Sequence, residues 1–260
     1  MDDRYKLAAE FFETWLNLFS GLTEMQHRNF QIKRDHSLRV ADNTVVLGNA
    51  LKLSAKDIYL LYLAGLFHDI GRFKQLAEYN TFNDDISVDH AVCSVQIIED
   101  ESILDNLDIS EKELILQSVK LHNKFEIPRK LAARELLFIN LLRDADKLDI
   151  LKVLTDYYID KNQEPNHTLT WELPKGVQVS PGVAQEVLAE KLVSKNKIMS
   201  QIDVKIMQMS WVYDLNFKPS YEIIFRNRFL EKIYQTLPKN DLIIKIYSRV
   251  KVFAENKLLH

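Results

Sequence analysis

A single cysteine, Cys93, serves the whole chain of 260 residues. It excludes an internal disulfide and a thiolate metal cluster. Set in the apolar stretch AVCSVQII, it reads as a small packed core residue. Glycine and proline are also scarce, at 6 each, against the usual roughly 7% and 5% of residues. With so few turn formers, long helices are favoured over a turn-rich β fold. Long apolar runs are missing too. The uncharged run Ile58–Phe67 is far short of the about 20 residues that span a bilayer. Neither sign of charge dominates, with 34 Lys and Arg against 37 Asp and Glu and a net charge of −3. No bulk field draws the chain to a nucleic-acid duplex or an anionic membrane. The first residues, MDDRYKLAAEFFETW, are amphipathic and lack the apolar core of a signal peptide. These absences lead to the expectation of a cytoplasmic protein with a small partner.

What is present is helical periodicity. Apolar residues at i, i+3 and i+4 spacing predict helices at 4–20, 35–52, 55–68, 88–103, 111–123, 130–158, 182–195, 198–214, 220–236 and 239–258. Ser54 with Asp57, and Ser110 with Glu113, carry N-terminal capping signals, and Pro181 suits a first helical position after Ser180. The main interruption, residues 160–182, holds a weak alternation at Leu169, Trp171 and Leu173 and at Val177 and Val179. A short β-hairpin turning at Pro174–Gly176 is compatible with it. The expected fold is therefore all-α, a helical bundle over residues 1–158. A helical C-terminal extension over 159–260 is expected to pack on the same core.

The chemistry lies in histidines and aspartates set against apolar surroundings. The segment GLFHDIGRF closes the uncharged run on His68 and Asp69. A buried ionised carboxylate is costly unless it is paired or coordinates a metal. His36 heads an inward stripe with Val40, Leu47 and Leu51. His90 stands near the start of a helix in SVDHAV, and His122 ends another in ILQSVKLHNK. The remaining histidines, His27, His167 and His260, fall in polar or terminal positions that suit solvated side chains. Imidazole nitrogen with carboxylate oxygen suits Fe, Mn, Zn, Co or Ni. The segment LLRDADKLDIL then offers Asp144 and Asp146, each in line with apolar residues. Periodicity does not choose between them.

The ordered set His36, His68–Asp69 and a later aspartate resembles the HD-domain superfamily of metal-dependent phosphohydrolases, with its signature H…HD…D. The words KRDHSLRV, AGLFHDIGR and RDADKLDIL carry the likeness over roughly residues 25–155. The family's last ligand precedes a basic residue and leucine, which implies Asp146. His90 and His122 fit the extended pattern H…HD…H…H…D. There the resemblance implies a second ion, with Asp69 as the bridge. Lys147, beside Asp146, and Arg72, just after the doublet, are implied as phosphate contacts, so that Asp69, Lys147 and Arg72 carry the catalytic roles. The cofactor expected is one or two divalent ions, Mn, Fe, Ni, Co or Zn, with Mg also compatible.

The activity implied is cleavage of a phosphate ester or phosphodiester, in a nucleotide or other phosphorylated small molecule, by metal-activated water. HD-GYP phosphodiesterases usually show two adjacent histidines in the later segment. Here His122 is followed by Asn123, and no GYP motif is present. The pattern also resembles phosphatases of dinucleoside polyphosphates and, more distantly, di-iron oxygenases of the same fold. A non-catalytic signalling module on this scaffold would be expected to have lost ligands. The C-terminal aromatics Trp211, Tyr213, Phe217, Tyr221 and Phe225 suit a core, a substrate lid or a homodimer interface.

Overall fold

Residues 3–160 and 173–259 are described by a computed structural model, and every regular element among them is helical. The expected all-α fold is observed. The first unit, Met1–Asp149, holds α1 (Asp3–Leu16), α2 (Glu24–Ala50), α3 (Ala55–Phe67), α4 (Ile70–Tyr79), α5 (His90–Asp100) and α6 (Ile109–Leu121). The helix α7 (Ala133–Ile159) contains the division between the units at 149/150. The second unit, Ile150–His260, continues with α8 (Pro181–Leu188), α9 (Gln201–Ser210), α10 (Lys218–Arg226), α11 (Phe229–Gln235) and α12 (Asp241–Leu259). No helix among the described residues is long and apolar enough to cross a membrane.

In the first unit α3 is the central element: every residue from Ile58 to Phe67 is buried. It packs most extensively on α2, while α4 lies on α5 and α5 on α6. Two glycines set the closest approaches. A Cβ at Gly65 would stand 2.8 Å from the Ala41 Cα, so α2 and α3 meet backbone to backbone there. A Cβ at Gly71 would stand 2.5 Å from the His90 carbonyl oxygen and 2.6 Å from the Ser94 nitrogen. The Gly71 N–H uses that proximity to donate to Ser94 Oγ at 2.9 Å. These contacts hold α2, the α3–α4 junction and the start of α5 together.

Several sequence-based boundaries shift, each for a local reason. The helix expected from 35 begins at Glu24, because Thr23 and Gln26 form a reciprocal capping box at 3.3 and 2.9 Å. Its first turns are polar on most sides, so hydrophobic spacing gave no sign of them. The helix α4 was not expected. It follows the doublet directly, with Asp69 at φ −109° and ψ 15° breaking what would otherwise continue α3. Ser54 caps α3 as expected, accepting from the Asp57 N–H at 3.0 Å. The expected cap at Ser110 is not used: α6 begins two residues before the expected start, at Ile109 behind Asp108.

In the second unit, Pro181 follows Ser180 at the start of α8 as expected. The segment 198–214 closes as a 3₁₀ turn over Trp211–Asp214. The segment 220–236 is broken by Arg228 at φ 56°. Tyr221 is buried, with its hydroxyl between the carbonyl oxygens of Val212 and Leu215, each at 2.9 Å. This places Tyr221 in the core of its unit, the first of the three roles weighed for the C-terminal aromatics. The hairpin's first arm lies outside the described residues except for Leu173, and Val177–Val179 runs without strand structure.

Replacing Gly71 by alanine is expected to destabilise the first unit by about 1–3 kcal/mol, because the new methyl meets backbone atoms that no rotamer change can clear. Chemical denaturation followed by circular dichroism measures it, and a variant as stable as the parent would contradict the close approach.

Candidate metal centre

The helix α3 ends at Phe67, and the chain turns through His68 and Asp69 before α4 begins at Ile70. A buried helix that stops there delivers both side chains to the interior. His68 is fully buried, and the Asp69 side chain is 4% exposed. His36 arrives from the middle of α2, His90 from the first position of α5, His122 from the end of α6, and Asp146 from α7. All four histidines are buried.

The four rings share one orientation. His68 Nδ1–H donates to the Gly65 carbonyl at 2.7 Å, and His122 Nδ1–H to the Val119 carbonyl at 2.6 Å. His36 Nδ1–H donates to Asp149 Oδ2 at 2.7 Å, and His90 Nδ1–H to Asp84 Oδ2 at 2.6 Å. A neutral imidazole that donates from Nδ1 presents a lone pair at Nε2. Every Nε2 in this set therefore turns to a common centre.

Asp69 stands in that centre with its two oxygens facing different partners. Oδ2 lies 3.6 Å from both His36 Nε2 and His68 Nε2. Oδ1 lies 3.3 Å from His90 Nε2 and 3.8 Å from His122 Nε2. Asp146 Oδ1 closes the first side, 3.2 Å from His36 Nε2 and 3.7 Å from His68 Nε2. Ligand atoms of His36, His68 and Asp146 fall within 4.8 Å of one another, and so do those of His68, Asp69 and His122.

These donors fit a metal ion. His36 Nε2, His68 Nε2 and Asp69 Oδ1 are buried without a hydrogen-bond partner. His90 Nε2 and His122 Nε2 face each other at 3.2 Å. Lone pairs set against lone pairs and carboxylate oxygens repel unless a cation or proton lies between them. A third acidic group, Asp84, Asp89 and His90, is otherwise engaged. Asp84 pairs with Arg72, while Asp89 caps α5 and pairs with Lys124.

The electrostatics follow from this crowding. Burial opposes the charge on Asp69, but Lys33, His68, His90 and Arg72 outweigh it and hold the carboxyl well below its usual range. Asp146 is lowered in the same sense against burial, by the neighbouring His36 and His68. Burial and Lys33 work against a charged His36, yet Asp146 and Asp149 prevail and raise its pKa. Burial pushes His122 down to about 3, with His68 and His90 acting in the same direction. Burial, then Arg72, lower His90 against the pull of Asp84.

Arg72 and Lys147 have internal ties. Arg72 Nη1 donates to Phe82 O at 2.6 Å, Asp84 Oδ1 at 2.7 Å and Gln75 Oε1 at 2.8 Å, with Nη2 3.3 Å from His90 Nε2. Lys147 Nζ lies 3.5 Å from the Arg143 carbonyl. Asp144, the alternative to Asp146, is fully buried and is not among the grouped ligand atoms. Of the three remaining histidines, His27 is exposed, and His167 and His260 lie outside the described residues.

Sequence reasoning missed four residues. Lys33, one turn before His36, pairs with Asp69 Oδ2 at 2.6 Å. Asp149 holds the His36 ring and is itself held by Arg39 at 2.6 and 3.0 Å. Asp84 does for His90 what Asp149 does for His36. The signals were present for three of them: Lys33 and Arg39 lie in KRDHSLRV, and Asp149 follows Asp146 by one helical turn. Asp84 sits in an irregular loop, where periodicity says nothing.

Residues 34–151 match the family model of the HD domain. Over that span the chain is similar to the HD domain. The matched span takes in His36, the His68–Asp69 doublet, His90, His122 and Asp146, so the convergent cluster is the part of the chain the family describes. No curated protein and no solved structure matches the chain. Metal dependence is a property of the HD-domain superfamily, and the donor set just described is compatible with it.

Asp149→Ala is expected to leave the His36 Nδ1–H without its acceptor, at about 1–3 kcal/mol of stability. Nitrogen-resolved NMR of the metal-free protein checks it. The variant should show His36 gaining the Nε2–H tautomer, and an unchanged tautomer would contradict the orienting role.

Proposed function

We propose that the HD domain is a metal-dependent phosphohydrolase, cleaving a phosphate ester or phosphodiester of a nucleotide or other phosphorylated small molecule. The observation that carries this reading is the carboxylate of Asp69, set between two pairs of inward-facing imidazole nitrogens. His36, His68, Asp69 and Asp146 would hold a first ion. His90 and His122 would hold a second, with Asp69 shared. Such ions, when bound, supply Lewis-acid polarisation of a phosphoryl oxygen and acidify water near neutral pH.

The chain's own contributions are positional and electrostatic. Asp149 and Asp84 keep the His36 and His90 rings turned so that Nε2 faces inward, and the Gly65 and Val119 carbonyls do the same for His68 and His122. Groups that orient ligands in this way typically matter 10- to 100-fold in metal affinity. Lys147 and Arg72 are the cations assigned to the phosphate oxygens of the substrate. Arg72, tied to Asp84 and Phe82, would act from a fixed position.

His68→Ala or Asp69→Asn is expected to abolish most bound metal while circular dichroism stays helical. A two-ion centre further predicts that the His90→Ala, His122→Ala double variant loses about half of the bound metal. Elemental analysis after reconstitution reads both outcomes. Wild-type protein that takes up no transition metal would overturn the centre, and unchanged stoichiometry in the double variant would reduce it to one ion.

Activity is tested with a panel of nucleotides and phosphorylated metabolites under added Mn, Ni, Co, Fe or Mg. Release of phosphate or cleavage of a diester under anaerobic conditions is the expected result. Substrate-dependent oxygen consumption without hydrolysis would overturn it in favour of an oxygenase.

A further inference from the structure

The side chain nearest to Asp69 is a cation that the ligand series does not include. Lys33 Nζ lies 2.6 Å from Asp69 Oδ2, with its side chain 17% exposed. Its ammonium also stands 5.6 Å from the centroid of the Phe82 ring. The oxygen it takes faces both His36 Nε2 and His68 Nε2 at 3.6 Å. Lys33 thus occupies the side of Asp69 on which His36, His68 and Asp146 converge.

Charge pairing around the centre shows what this does. The two orienting carboxylates have their own arginines: Asp149 with Arg39 at 2.6 Å, and Asp84 with Arg72 at 2.7 Å. That leaves Asp69 and Asp146 as the carboxylates that face the convergent nitrogens. Lys33 meets Asp69 at Oδ2, with Arg72 Nε the more distant cation at 3.6 Å from Oδ1, while Asp146 is met by His36 and His68. A divalent cation would balance Asp69 and Asp146 by itself, and the charge of Lys33 beside it would then be in excess. Like charges a few ångströms apart in a buried site are strongly disfavoured.

We propose that Lys33 is a built-in counter-cation of the metal centre, holding Asp69 Oδ2 in the absence of an ion and giving it up when the centre loads. The proposal rests on the metal-centre reading above and concerns its regulation: Lys33 sets the concentration of free metal at which the HD domain fills. It holds the Asp69 carboxylate in its buried position without metal, and it opposes loading at low metal. Lys33 acts through Asp69 and is a positioning residue.

The test compares wild type with Lys33→Met, Lys33→Gln and Lys33→Arg. Each protein is stripped of metal and titrated with Mn²⁺ alone, in competition with a colorimetric chelator. Removal of the charge in Lys33→Met and Lys33→Gln is expected to tighten Mn²⁺ binding by roughly 10- to 100-fold, the scale on which groups around a metal act. Lys33→Arg, which keeps the charge, should stay close to wild type. A loss of contacts alone would weaken binding in all three variants, so the direction separates the two roles. The two neutral variants guard against one of them failing to fold. Affinity in either folded neutral variant that is unchanged or weaker than wild type overturns the counter-cation role, with the metal centre intact. Wild type that binds no Mn²⁺ overturns the metal-centre reading itself, and the counter-cation role with it.

Discussion

An ionised carboxylate buried at the junction of two helices is the constraint on which the first unit depends. Asp69 sits where α3 stops and α4 starts, with its side chain only 4% exposed. Desolvation makes such a charge costly unless opposite charge or polarised donors surround it. Around Asp69 the chain supplies four imidazoles, the Lys33 ammonium and the Arg72 guanidinium. The close approaches at Gly65 and Gly71 make that convergence geometrically possible. Removing a Cβ at each lets the helix backbones come near enough for their histidines to meet.

The groups behind the cluster matter as much as those within it. Each imidazole is committed at Nδ1, two to backbone carbonyls and two to carboxylates, so that the free nitrogen can point only inward. The carbonyl partners, Gly65 and Val119, are one turn before their histidines near helix C-termini, where carbonyls lack intrahelical donors. The carboxylate partners, Asp149 and Asp84, carry charge of their own, which Arg39 and Arg72 balance. In this way the centre's orientation is built from ordinary features of helix ends and from two part-buried ion pairs. The same outer pairs leave Asp69 and Asp146 as the carboxylates to be balanced at the centre, which gives Lys33 its place.

Much of this was legible along the chain because helices report their buried faces at a regular spacing. The stripe through His36, the apolar run ending at His68 and the apolar rows in line with Asp144 and Asp146 each marked an inward position. Periodicity was silent where the structure is short or irregular. The helix α4 has only 10 residues and begins directly after the doublet, and the loop with Asp84 has no period. Polar first turns also hid the start of α2, which a capping box rather than a hydrophobic stripe defines. The choice between Asp144 and Asp146 lay beyond periodicity, because both face apolar neighbours. The family word around Asp146 implied one of them, and the facing His36 and His68 nitrogens give the geometry.

By itself, then, the sequence determined the helical class, the inward placement of the histidines and aspartates, and the order in which they appear. Those follow from composition and from a 3.6-residue repeat, which are properties of one helix at a time. Tertiary structure alone decided which nitrogen of each ring faces the centre, which oxygen of Asp69 faces which histidines, and that Lys33 sits on one of them. These depend on how helices cross, and a crossing joins residues such as His36 and Asp149 that lie 113 positions apart. No local pattern records a distance of that kind.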